Sequence, residues 1–115
     1  MDKGRMRIYL SGPITGVLDY QRKFNLAEIR LKDAGYSVVN PAKCNSSLPV
    51  DTKHEEFMHV CFSQMDLCDA VYMLKGWDKS NGCRQEFEYA SRNGMTITFE
   101  GGTVDGKQTY KSLRI

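Results

Sequence analysis

The residues best suited to chemistry lie between positions 80 and 90. In Gly82-Cys83-Arg84-Gln85-Glu86-Phe87-Glu88-Tyr89-Ala90, the apolar residues Cys83, Phe87 and Ala90 recur at helical spacing. Glu86 follows Cys83 by three residues and precedes Ala90 by four, so it shares their inward face. Glu88 falls on another face, four residues after Arg84, where a solvated ion pair belongs. A carboxylate on the inward face either borders the core and reaches out to water or is aimed into a ligand crevice. Ser80-Asn81-Gly82 supplies the N-cap of the same helix. A serine hydroxyl beside free backbone N–H groups at a helix start also suits an anion.

Other candidates carry weaker signals. Leu10-Ser11-Gly12-Pro13-Ile14-Thr15-Gly16 is a glycine-bearing turn after a β-rich run. It would let backbone amides approach a ligand, yet it is neither a GxGxxG nor a Walker sequence. Trp77, the single tryptophan, stands in the polar loop Gly76-Trp77-Asp78-Lys79-Ser80-Asn81-Gly82. It either stacks on a planar ligand or covers a sheet edge. Tyr9 alternates with Leu10 along the first strand and either packs in the core or brings its hydroxyl to a crevice. His54 and His59 are five apart, poor spacing for two metal ligands on one helical face, and no cysteine is paired in sequence with a histidine and a third group. Neither a metal site nor a cofactor is expected.

The elements that must position these residues alternate. Met6–Leu10 reads as a first strand. Tyr20, Phe24, Ala27, Leu31 and Ala34 form the stripe of an amphipathic helix stopped by Gly35. Tyr36–Val39 is a second strand, broken at Asn40-Pro41. After a polar loop, Phe57, Val60, Cys61, Gln64 and Cys68 share a helical face, with Met58 and Met65 beside it. Ala70–Leu74 is an almost unbroken apolar run, as a central strand buried on both faces requires. A helix over about 82–92 and a strand over Met95–Phe99 follow. Residues 100–115 have no clear period and read as an extra strand, a tail or a subunit contact. Strand–helix alternation at this spacing predicts one α/β domain over 1–115, a three-layer sandwich with a mostly parallel sheet of four or five strands. Ligands bind beyond the carboxyl ends of such strands, which selects loops 11–16, 40–44, 75–82 and 99–102.

Composition excludes several classes. With 115 residues, 41% hydrophobic and 26% charged, the chain is neither disordered nor collagen-like, and its length allows a core without disulfide staples. No run approaches a membrane span, and the charged Met1–Arg7 segment does not read as a signal peptide. The four cysteines contain no CxxC pair, so reduced thiols and a cytoplasmic location are expected. The net charge of +2 comes from two basic ends, residues 1–7 and 103–115, around a slightly acidic middle. No basic stripe for polymeric nucleic acid results.

Three segments together resemble one family. They are Ile8-Tyr9-Leu10-Ser11-Gly12-Pro13-Ile14-Thr15-Gly16 followed by Asn40-Pro41, then Cys68-Asp69-Ala70-Val71-Tyr72-Met73-Leu74-Lys75-Gly76-Trp77, then Ser80-x-Gly82-x-x-x-Glu86-x-x-x-Ala90. They are similar to the nucleoside 2-deoxyribosyltransferase-like superfamily, in particular its small, often phage-borne DUF4406 branch, over about residues 6–98. That resemblance implies a flavodoxin-like fold and cleavage of an N-glycosidic bond, with Glu86 as nucleophile and Tyr9 orienting it. Water as acceptor makes a hydrolase and a second base a transferase. The resemblance further implies a substrate site built from Ser11, Gly12, Ile14, Thr15, Gly16, Asn40, Pro41, Trp77, Asp78, Ser80, Asn81 and Gly82. Six residues before the glutamate, nucleoside transferases carry an aspartate, whereas nucleotide hydrolases carry a serine. Ser80 therefore favours a deoxynucleoside 5′-monophosphate.

Two positions depart from the family pattern. Eight residues before Asp69, where a second catalytic aspartate is common, stands Cys61; Asp66, Asp78 and His59 are the substitutes within reach in sequence. Pro13 and Thr15 replace a phosphate-binding serine and arginine, which leaves Arg22, Lys43 or Lys79 to contribute charge. A non-catalytic nucleotide-binding module and an interaction protein using residues 100–115 are the competing readings. The resemblance also implies a homodimer or larger oligomer whose neighbour completes the pocket.

Overall fold

The β-rich and apolar runs pair into one sheet, all of it parallel. The computed structural model describes residues 6–101. All but the first two residues of the expected extra strand, tail or subunit contact at 100–115 lie outside them. Strands β1 (Arg7–Ser11), β2 (Ser37–Val39), β3 (Ala70–Met73) and β4 (Thr96–Phe99) run in the order β2-β1-β3-β4. Tyr9 stands opposite Val39 on one side and Val71 on the other, and Val71 in turn faces Ile97. Helices α1 (Tyr20–Asp33), α2 (Pro41–Cys44), α3 (His54–Met65) and α4 (Asn81–Arg92) connect them. The sequence neighbours β1 and β2 lie to one side and β3 and β4 to the other. The order therefore reverses between β1 and β3, the point at which such sheets open a crevice.

Alternation along the central strands divides the core in two. Ile8, Leu10, Ala70 and Tyr72 point to one face, where Phe24, Ala27 and Leu31 of α1 cover them. Tyr9, Val71 and Met73 point to the other, beneath Cys61 and Met65 of α3 and Cys83 and Ala90 of α4. All four residues of β3 are buried, as its apolar run requires. The result is a flavodoxin-like three-layer fold. Gly35 ends the turn after α1 with φ 100°, a conformation costly for any residue with a Cβ. Among the described residues no helix is long and apolar enough to cross a membrane.

Two expectations are corrected. The inward face of α3 is Met58, Cys61 and Met65, not the stripe through Val60 and Gln64, and the helix ends before Cys68 is reached. Its apolar residues spread over more than half of the circumference, so periodicity alone does not select the buried side. The segment after β2 is also not all loop. Asn40 caps the four-residue α2, with its Oδ1 accepting the Lys43 N–H at 3.3 Å and Pro41 opening the helix.

Candidate active site

Helix α4 carries Glu86 on its inward face. Ser80 accepts the Cys83 N–H at 3.3 Å and so starts the helix in register. Cys83, Glu86 and Ala90 are its buried residues, as their spacing requires, while Glu88 is exposed and faces Arg92 at 3.9 Å rather than Arg84. Arg84 instead donates to the Asp78 carbonyl at 2.8 Å.

The Glu86 side chain is 6% exposed, and strand β1 holds it at both oxygens. Tyr9 Oη donates to Oε2 at 2.6 Å and Ser11 Oγ donates to Oε1 at 2.6 Å. Tyr9 and Ser11 are two residues apart on a strand, so both leave the sheet on the same side and reach one carboxylate. The two donors fix the plane of the group as well as its position. Burial pushes the Glu86 carboxyl above its ordinary value, and the hydrogen bonds from Ser11, Tyr9 and Cys61 pull the other way. Burial and the neighbouring Glu86 together raise the Tyr9 phenol well above its usual range. The Cys61 thiol is pushed up to about 12, by burial first and Glu86 second. It is therefore a neutral thiol and no activated nucleophile.

Glu86 faces a cavity of about 440 Å³, within the range of small-molecule sites. Of the residues expected at a ligand, Tyr9, Gly12, Ile14, Thr15, Pro41, Ser80, Gly82 and Glu86 line it, and Ser11 meets it through Glu86. Gly12 allows the tight turn out of β1: a Cβ there would stand 2.7 Å from Leu74 and 3.1 Å from Phe24. Gly16, with φ 78°, is not part of the cavity wall. Asn81, the first residue of α4, is exposed and outside the wall.

Three expected ligand contacts have other roles. Trp77 packs against Phe87 and Phe99 with ring centroids 4.9 and 5.6 Å away, which makes it a cover for the β4 side of the sheet. Asp78 is exposed beside it, outside the cavity wall. Asn40 is buried and donates to Glu28 at 2.9 Å and Asn25 at 3.1 Å. The substitute acids and bases are likewise elsewhere. Asp66 is exposed and accepts from the Tyr89 hydroxyl, and His59 lies on the outer face of α3. Arg22 pairs with Asp19 at 3.8 Å, Lys43 pairs with Glu28 at 3.1 Å, and Lys79 is exposed.

The wall that sequence reasoning missed comes from residues 45–61. Asn45, Leu48, Pro49 and Thr52 from the loop, and His54, Phe57, Met58 and Cys61 from α3, close the side opposite β1. A Leu-Pro pair in an otherwise polar loop was its one visible signal. His54 begins α3, with Nε2 3.2 Å from Gln85 Nε2. Among the described residues no cluster of His, Cys, Asp and Glu has the makings of a metal site.

The family described as a domain of unknown function, DUF4406, matches residues 6–99. This chain is a member of that family. The match takes in all four strands and the whole cavity wall. No curated protein matches the chain.

Proposed function

We propose that this chain cleaves the N-glycosidic bond of a deoxynucleoside 5′-monophosphate, with Glu86 as the nucleophile. The observation that carries the reading is a buried carboxylate clamped at both oxygens by Tyr9 and Ser11 and turned toward a cavity of nucleotide size. A carboxylate so held is oriented for attack and largely stripped of water, as covalent glycosidic catalysis requires. One Glu86 oxygen attacks C1′, the C1′–N bond breaks, and the base departs with the bonding electrons and takes up a proton from water. Water then attacks C1′ of the glycosyl ester, releasing the sugar and regenerating the carboxylate; a second base in place of water would make a transfer. Ser80 and Gly82 lie on the cavity wall at the start of α4, a setting that suits a phosphate. The similarity to the nucleoside 2-deoxyribosyltransferase-like superfamily supports both assignments.

The test is free base released from a panel of deoxynucleoside monophosphates, followed by chromatography, with Glu86→Ala alongside. Release by the wild-type protein and none by a folded Glu86→Ala variant is the expected result. Equal release by both removes Glu86 from the chemistry. Cys61, a neutral thiol beside the carboxylate, favours a second reading, a nucleotide-binding module without turnover. That reading requires nucleotide-dependent thermal stabilisation with no base released from any substrate.

A further inference from the structure

Glu86 lacks what buried carboxylates ordinarily have. The two buried carboxylates among the described residues are Glu28 and Glu86. Glu28 faces Lys32 at 2.7 Å and Lys43 at 3.1 Å. Glu86 is in no ion pair among the described residues, and no lysine or arginine among them lines the cavity it faces. A carboxylate removed from water without a counter-ion is costly, and a cation arriving in the cavity would offset that cost.

The protons beside Glu86 point to the same kind of ligand. A neutral base leaving C1′ must collect a proton on a ring atom as it departs. The Tyr9 proton is committed to Glu86 Oε2 and the Ser11 proton to Oε1. The Cys61 thiol also bonds to Glu86 and is held firmly protonated. His54 and Cys83 are the other titratable groups on the wall, and neither is among the hydrogen-bond partners of Glu86. The His54 ring, at the start of α3, lies about 3.7 Å from where a Gly82 Cβ would be. His54 Nε2 is engaged by Gln85 at 3.2 Å rather than by Glu86.

We infer that the preferred substrate is an N-glycoside whose leaving base is already cationic, such as a ring-alkylated purine or a pyridinium. The inference rests on the reading of Glu86 as nucleophile and narrows its substrate. Glu86 Oε attacks C1′, the C1′–N bond breaks, and its electron pair neutralises the ring, which departs as a neutral base without being protonated. Water then attacks C1′, the ester C1′–O bond breaks back to the carboxylate, and the proton released goes to solvent. Before attack the cationic ring is the counter-ion that Glu86 otherwise lacks.

The experiment compares base release from 7-methyl-dGMP with dGMP, and from a pyridinium 2-deoxyriboside 5′-phosphate with dAMP, subtracting the rate seen with Glu86→Gln. Cationic substrates are expected to exceed their neutral partners by at least about 10²-fold in kcat/KM, the contribution usually made by a general acid. Neutral nucleotides cleaved as fast as the cationic ones overturn this inference and leave Glu86 as nucleophile. Release that Glu86→Gln does not diminish, or no release from any of the four, overturns the reading of Glu86 and this inference with it.

Discussion

Two glutamates are buried in this small domain, on opposite faces of the sheet, and their surroundings could hardly differ more. Glu28, on α1, is met by Lys32, Lys43 and the Asn40 amide. Burial works against its charge, yet Lys32, Asn40 and Lys43 together hold its carboxyl down at about 2. Glu86, on α4, is met by two hydroxyls and a thiol, and burial pushes its carboxyl up. The first is a neutralised joint between α1 and the start of α2. The second has no cation beside it among the described residues and faces a cavity. What separates the structural carboxylate from the proposed nucleophile is the partner set, since burial is shared.

Breaking each glutamate in turn gives the largest contrasts. Glu86→Gln should lower base release by at least about 10³-fold, as loss of a covalent nucleophile does. Its urea midpoint should equal or exceed that of the wild type, because an uncompensated buried charge has been removed. Tyr9→Phe, which leaves Glu86 with Ser11 and Cys61, should reduce kcat by about 10- to 100-fold, since a hydrogen bond to a charged group contributes about 1.5–3 kcal/mol. Glu28→Ala should do the reverse. Base release per folded molecule is unchanged, while unfolding free energy falls by about 1–3 kcal/mol because the buried Asn40 amide loses one of its two acceptors.

The pH dependence sharpens the same contrast with opposite signs. Glu28 has its carboxyl lowered, so its contribution to stability is complete above the ordinary value of 4.5 and is lost as pH falls toward about 2. Acid unfolding of Glu28→Gln should therefore show a weaker pH dependence across that window. Glu86 has its carboxyl raised, so the folded state holds its proton more tightly than the unfolded one. Relative to Glu86→Gln, the wild type should gain stability as pH falls through that raised value and lose it as pH rises. Base release should fall on the acid side at a pH above the usual carboxylate range, as the nucleophile protonates. The smallest effect is expected at Asp78, exposed and outside the cavity: Asp78→Asn should leave kcat/KM within about twofold and stability within about 0.5 kcal/mol.

Much of the scaffold was legible from residue order. The α1 stripe through Phe24, Ala27 and Leu31, the doubly buried β3 and the Ser80 cap all rest on periods and capping rules that act within a few residues. Local rules lost their grip where the pattern was ambiguous or missing. Helix α3 carries apolar residues over more than half of its circumference, and its period does not single out the inward side. Residues 45–53 have no period, so their part in the cavity could not be read. Trp77 carried two readings, and packing against Phe87 and Phe99 decided for the sheet edge.

The sequence by itself determined that Glu86 faces inward one turn into α4, because helical spacing is a local property. It also determined that β1 ends in a glycine turn and that the strands alternate with helices. Only the tertiary structure decided what Glu86 meets. Tyr9 and Ser11 lie 77 and 75 residues away, and they reach it because β1 occupies the centre of the sheet beneath α4. Cys61 arrives from α3, and the cations settle around Glu28 on the other face. Which protons and charges surround a buried carboxylate depends on contacts between distant segments, and no period or motif within one segment encodes them.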